Sequence, residues 1–174
     1  MDAFLLRILQ RQIRDQCVFA LHAAESINEG LRDNDSDAIF FGIQNFLNAS
    51  ANISKMLWGQ AGKRSEARRP LRQSIGIDDA SPLRDVNMRN NFEHMDERID
   101  RWWEISTQKH YADRNIGPLE MIKGSRLEDV FRIFDPSTAK VGFWGQEFNI
   151  QTIVDEILAK LPTIDAAISN PRYQ

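Results

Sequence analysis

Arg89, Asn90 and His94 form the one stretch in this chain whose residue types and spacing point to chemistry. A guanidinium can grip and neutralise a phosphate, and an imidazole exchanges protons near neutral pH. On a helix Asn90 and His94 are neighbours four apart, Glu97 follows His94 by three, and Arg101 continues the same stripe. Asn90 or Glu97 could therefore fix the tautomer and orientation of the imidazole, as a working acid or base requires. Arg89 stands apart from that stripe. Five residues on a straight helix separate two side chains by roughly 140°. Arg89 and His94 then reach one small ligand only through a distorted turn or with a second subunit. A purely structural arrangement is open as well, with Arg89 paired to Asp85 and Glu93 and His94 in solvent.

These residues need a long helix to carry them. Ser81 caps it, Pro82 fits its first position, and it is expected to run to about Lys109. Met88, Phe92, Met95, Ile99, Trp102, Trp103 and Ser106 recur at helical spacing and define its core face. Two helices precede it. The first runs from about Ala3 to Gly30, with Leu5, Ile8, Leu9, Ile13, Cys17, Ala20, Ala24, Ile27 and Leu31 as its apolar stripe and Gly30 as its stop. The second, about Ala38 to Trp58 and capped by Ser36 or Asp37, is the most apolar: Ile39, Phe40, Phe41, Ile43, Phe46, Leu47, Ile53, Met56 and Leu57. Asn45, Asn48, Asn52 and Lys55 interrupt it with a polar stripe, either a solvated edge or amides lining a groove beside the third helix.

Between the second and third helices, Lys63, Arg64, Arg68, Arg69 and Arg72 crowd against a single Glu66. Such a run is either a solvated face or an anion-facing surface. A short helix over about 65–74 is possible there, with Pro70 against an unbroken one. After a loop over about 110–124, Val130–Phe134 and Ala139–Trp144 flank a turn at Asp135–Thr138, which predicts a β-hairpin. A lone hairpin is marginal, so it must pack on the helices or on a partner. Asn149 caps a last helix to about Leu161, where Pro162 marks a stop or kink.

The totals bound the class. A chain of 174 residues, 42% apolar and 27% charged, predicts one soluble globular domain over 1–174. A net charge of −3 excludes a bulk polyanion binder but not a local basic patch. The single Cys17 excludes an internal disulfide and fits a reducing compartment, as an inert core thiol. Asp2 and Arg7 within the first short apolar run suit neither a signal peptide nor a membrane span, so a cytoplasmic location without membrane association is the default.

Arg89-Asn90-Asn91-Phe92-Glu93-His94 resembles the Arg-polar-x-x-x-His signature of the HEPN superfamily, the higher eukaryotes and prokaryotes nucleotide-binding domains. Asn is one of the usual residues directly after that Arg. Met95–Asp100 and Asn52–Trp58 are similar to stretches of uncharacterised bacterial HEPN-like proteins, and the order of long helices agrees over roughly two-thirds of the chain. The hairpin insertion at about 128–148 and the basic segment near Arg68 depart from the family pattern. The resemblance implies a mainly α, HEPN-like bundle of about four long helices with the small β-hairpin between the third and last. It further implies a metal-independent endoribonuclease without cofactor, acting as a homodimer on RNA, with the motif helices of two subunits meeting at a cleft. Arg89 would neutralise the scissile phosphate, His94 would transfer a proton, and Asn90 would position one or the other. Lys63, Arg64, Arg68, Arg69 and Arg72 would hold RNA and offset Glu93, Asp96, Glu97 and Asp100. A toxin or defence role, with an antitoxin or other regulatory protein as partner, comes with the family.

Two other classes stand beside it. A non-catalytic HEPN-like module for RNA binding or dimerisation keeps the fold and leaves His94 idle. A metal-binding bundle uses His22-x-x-Glu25 and His94-x-x-Glu97, each with a His and a carboxylate on one helical face. Phosphate-cradling glycine loops, Ser/His/Asp signatures and cysteine clusters are absent from the sequence.

Overall fold

A computed structural model describes residues 1–169, so the last five positions of the expected domain lie outside the described residues. The protein is mainly helical with a small sheet. Helix α1 (Ala3–Asp33) is capped by Asp2, whose carboxylate accepts from the Phe4 and Leu5 amides. It runs through Gly30, which the sequence marks as a stop, and ends instead at Asn34 in the left-handed region (φ 54°). Gly30 has a packing role: a Cβ there would lie 2.9 Å from Ile39 Cγ1. Its inward face also differs from expectation near the start. Leu6 and Gln10 are buried, whereas Leu5 and Ile8 are exposed.

Helix α2 (Ser36–Trp58) begins one position earlier than the expected caps, because Asp35 accepts from the Asp37 and Ala38 amides. A connection this short makes α1 and α2 antiparallel neighbours. Gly42 sets their approach, since a Cβ would meet Ile27 Cγ1 at 2.8 Å and the Ala23 carbonyl oxygen at 3.1 Å. Ile39, Phe40, Ile43, Phe46, Leu47, Ile53 and Leu57 are buried along α2 as expected. Phe41 is the exception and is 68% exposed. Each fully buried side chain of this kind is worth about 1.5–3 kcal/mol, so α2 supplies much of the core. Helix α3 (Arg69–Ser74) is short and takes Pro70 in its first turn, where the missing N–H is harmless.

The expected third helix is broken in three. Ser81 caps a 3-10 turn, Pro82–Arg84; helix α4 covers Asn87–Glu93; helix α5 covers Met95–Ile105. His94 sits at the second break with φ −101° and ψ 40°. Asn91, pinned by the Gln146 side chain at 2.8 Å, and Phe92, 6.2 Å from the Phe143 ring, hold α4 on the sheet. Beyond His94 the face rotates. Trp102 and Ser106 point inward, while Ile99 and Trp103, expected in the core, are exposed.

The hairpin forms and gains two strands. Strands β1 (Asn115–Ile116), β2 (Ile133–Asp135), β3 (Lys140–Phe143) and β4 (Gln146–Asn149) lie in the order β1-β2-β3-β4, with β1 parallel to β2 and the other pairs antiparallel. The sheet joins the helical core through Phe148 against Phe46, and through Phe131 and Phe143. Asn149 caps helix α6 by accepting from the Thr152 amide. Helix α6 (Ile150–Ser169) continues past Pro162, where the sequence marks a stop or kink, and packs on α1. Cys17 is buried, and burial pushes its thiol up to about 12, as befits a core residue. Among the described residues no helix is long and apolar enough to cross a membrane.

Asp113 ties the loop before β1 to β2. Its carboxylate accepts from the Arg132 backbone amide and guanidinium. Burial works against the charge, but the Arg132 hydrogen bonds and charge outweigh it and hold the carboxyl below its ordinary value. A depressed folded-state pKa gives stability that is full above the unfolded value of about 3.9 and is lost as pH falls through the lower folded value. Asp113→Asn should therefore cost roughly 1–2 kcal/mol at neutral pH and flatten the stability loss below about pH 4. Denaturant unfolding at several pH values, followed by tryptophan fluorescence, checks both.

Candidate functional site

Arg89, Asn90 and His94 come together in one cleft. It has a volume of about 870 Å³ and lies between the C-terminal end of α2 with the following turn, Gly59–Gly62, and the α4–α5 break. The break places His94 between two helices rather than within one, so the angular separation of a straight helix no longer applies. The distorted turn that the spacing called for is therefore present within a single chain.

The local pairing is acidic. Arg89 is half-buried and forms an ion pair with Glu93, and its Nη1 also donates to Asn90 Oδ1 at 3.4 Å. Its Nε is buried and has no hydrogen-bond partner among the described residues. The predicted Asp85 contact is replaced, since Asp85 accepts from the Asn87 amide. His94 is exposed, with Nδ1 3.4 Å from Glu97 and Nε2 4.0 Å from Glu93. Glu97 thus takes the orienting place beside the imidazole, and Asn90 turns to Arg89. A carboxylate at Nδ1 leaves Nε2 as the nitrogen that can exchange a proton with a ligand.

Cations gather around this core from other elements. Lys55 of α2 reaches the cleft, where burial and the neighbouring Arg89 hold its ammonium below the ordinary value. Arg84 lies 5.9 Å from the Trp58 ring, and Arg98 donates to Asn91 Oδ1 at 3.1 Å. Lys55, Arg84, Arg89 and Arg98 outnumber Glu93 and Glu97 among the lining residues, so the cleft favours an anion. The sequence offered Lys55 only as the end of a polar stripe, and gave no sign of Arg84 or Arg98.

The basic segment divides. Lys63 and Arg64 are exposed just beyond the cleft wall, Arg68 is half-buried with burial and Arg64 lowering its pKa, and Arg69 pairs with Glu66. Arg72 does not belong to this surface. It is 2% exposed, donates to the Leu57 and Ser65 carbonyls at 2.8 Å each, lies 3.1 Å from Asp79, and stacks on Trp58 at 5.6 Å. Helical spacing could not separate it from its neighbours. Asn45, Asn48 and Asn52 face a groove between α1 and α2 rather than the third helix.

For the metal reading, Glu25 is engaged by Arg32 at 3.2 Å, and His22 lines that α1–α2 groove. Among the described residues no three His, Cys, Asp or Glu side chains meet in a way that would hold a metal ion.

Arg72→Ala should lower the unfolding free energy by about 2–4 kcal/mol, because two buried carbonyls lose their donor. Arg64→Ala should change it by less than about 0.5 kcal/mol. Urea unfolding of the two variants beside the parent checks the division between strut and surface. Compared with known proteins, the chain matches no protein-family model, no curated protein and no solved structure, so the site is read from its own residues.

Proposed function

We propose that the protein is a metal-independent endoribonuclease of HEPN type, in which Arg89, Asn90 and His94 act on a phosphodiester. The observation that carries this reading is the break at His94, which brings guanidinium and imidazole to one cation-rich cleft. Attack of a ribose 2′-OH on its own phosphate needs a base, a proton donor for the leaving oxygen and a cation for the developing charge. Arg89 and Lys55 supply the cations. His94 Nε2 takes or gives the proton while Glu97 holds Nδ1. A second copy of the chain contributes the other imidazole, dividing the acid and base roles across a homodimer. Lys63, Arg64, Arg68 and Arg69 extend the backbone contacts, and a toxin or defence role with a regulatory protein partner follows from the same reading.

A second reading has its own support. Glu93 occupies Arg89 and approaches His94, which suits a HEPN-like RNA-binding or dimerisation module that does not cut. In the catalytic reading, a phosphate displaces Glu93 from Arg89.

Incubated in EDTA with labelled single-stranded RNA and transfer RNA, the protein should leave 2′,3′-cyclic phosphate ends. Arg89→Ala and His94→Ala should each reduce cleavage by at least about a hundredfold. Absence of cleavage by the folded parent, with RNA still retarded on a gel, would shift the reading to the binding module. Cleavage persisting in both variants would remove the site from consideration. Glu93→Gln tests the displacement itself: release of Arg89 should raise RNA affinity and steepen its salt dependence, read by fluorescence anisotropy across a salt series.

A further inference from the structure

A groove of about 510 Å³ lies between α1 and α2, outside the cleft that holds His94. Its floor follows from the close helix approach at Gly42 and Ala23, and its sides carry two kinds of group. Phe19 and Phe41 are 57% and 68% exposed. The amides of Gln16, Asn45, Asn48 and Asn52 line the same groove. Asn52 Nδ2 donates to Gln16 Oε1 at 3.1 Å across the two helices, and Asn45 Nδ2 donates to the Phe41 carbonyl. Asn48 is exposed.

The groove and the cleft share one face of α2. Phe41, Asn45, Asn48, Asn52 and Lys55 occupy one arc of α2, roughly 80° wide and about 21 Å long. Asn52 belongs to the groove and Lys55, one turn further, to the cleft beside Arg89. That face of α2 therefore leads from Phe41 and the amides of the groove to Lys55 in the cleft.

We infer that this groove binds the unpaired bases of a single-stranded RNA whose backbone enters the cleft at Lys55 and Arg89, an inference that rests on the RNA reading of the cleft. Unstacked bases are held by stacking on aromatic faces and by hydrogen bonds to their edges, which an amide can satisfy as donor and acceptor at once. Stacking tolerates any base, whereas Asn48 and Asn45 supply the edge contacts that prefer one. A duplex hides these faces and edges and gains nothing from the groove.

The test uses the full chain carrying His94→Ala, so that RNA stays intact, with fluorescein-labelled single-stranded RNA and the same sequence fully paired as probes. Anisotropy gives the affinities. Phe41→Ala and Phe19→Ala should each weaken single-strand binding roughly tenfold and leave duplex binding within about twofold. Asn48→Ala should weaken binding to some homopolymers more than others. Both phenylalanines are exposed, so the variants keep the fold, which circular dichroism verifies. Single-strand binding that depends on Arg89 but not on either phenylalanine overturns the groove and leaves the proposed activity standing. Groove-dependent binding by a chain with His94 intact that never cuts RNA supports the groove and removes the nuclease. A parent that binds no RNA overturns both. Sedimentation showing a dimer that Phe41→Ala dissociates, with RNA affinity per chain unchanged, makes the groove a subunit interface and overturns the inference.

Discussion

The contact between α1 and α2 constrains the rest of the structure. Two long helices can lie this close only where one presents no side chain against the other, and Gly30 beneath Ile39 and Gly42 beneath Ile27 meet that condition with clearances too small for a Cβ. One side of α2 is then sealed by α1, α4 and the sheet, with Phe46 reaching Phe148 and Ser54 donating to the Arg84 carbonyl. Its other side stays open and bears the polar stripe. The cleft and the groove are therefore two ends of the uncovered face of a single helix. That face is as rigid as the core behind it, which suits a surface that has to hold groups at fixed spacing.

Most elements were legible because their signals are local. Apolar periodicity located α1 and α2, and Asn149 declared the start of α6 by a cap that the structure uses. Two apolar-rich runs flanking the turn at Asp135–Thr138 declared the hairpin. Strand β4 was not legible. Gln146-Glu147-Phe148-Asn149 has one apolar residue and earns its place by pairing along β3. Strand β1 has two residues and exists through its partner β2.

The third helix shows where local signals fail. Nothing between Asn87 and Ile105 breaks a helix: there is no Gly and no Pro. The break comes from two docking demands that one straight axis cannot meet. Asn91 and Phe92 fix α4 on Gln146 and Phe143, while Trp102 must reach Phe131 and, through its indole N–H, the buried Asp129 that Ser106 also binds at 2.6 Å. Continuing one period through both halves put Ile99 and Trp103 in the core, where they are not. The same error hid the geometry of the motif, because Arg89 and His94 straddle the break. Residue types at the site could be read from sequence; their convergence could not, since it depends on contacts with side chains distant in the chain.

Acidic neighbours inside a cation-rich cleft look contradictory until burial is considered. Arg89 is shielded enough that leaving its guanidinium unpaired would be costly, and its Nε already lacks a hydrogen-bond partner among the described residues. Glu93, one turn on, neutralises it without ordering any other element. The pairing is replaceable, because Glu93 remains about half exposed and regains hydration when it leaves. A phosphate entering beside Lys55 exchanges one anion for another at Arg89 and brings an acceptor to the Lys55 ammonium as well. Lys55 and Arg89 repel each other in the free cleft, and that repulsion is relieved when an anion sits between them. The free-state strain and the bound-state attraction thus act in the same direction, toward a ligand that carries negative charge.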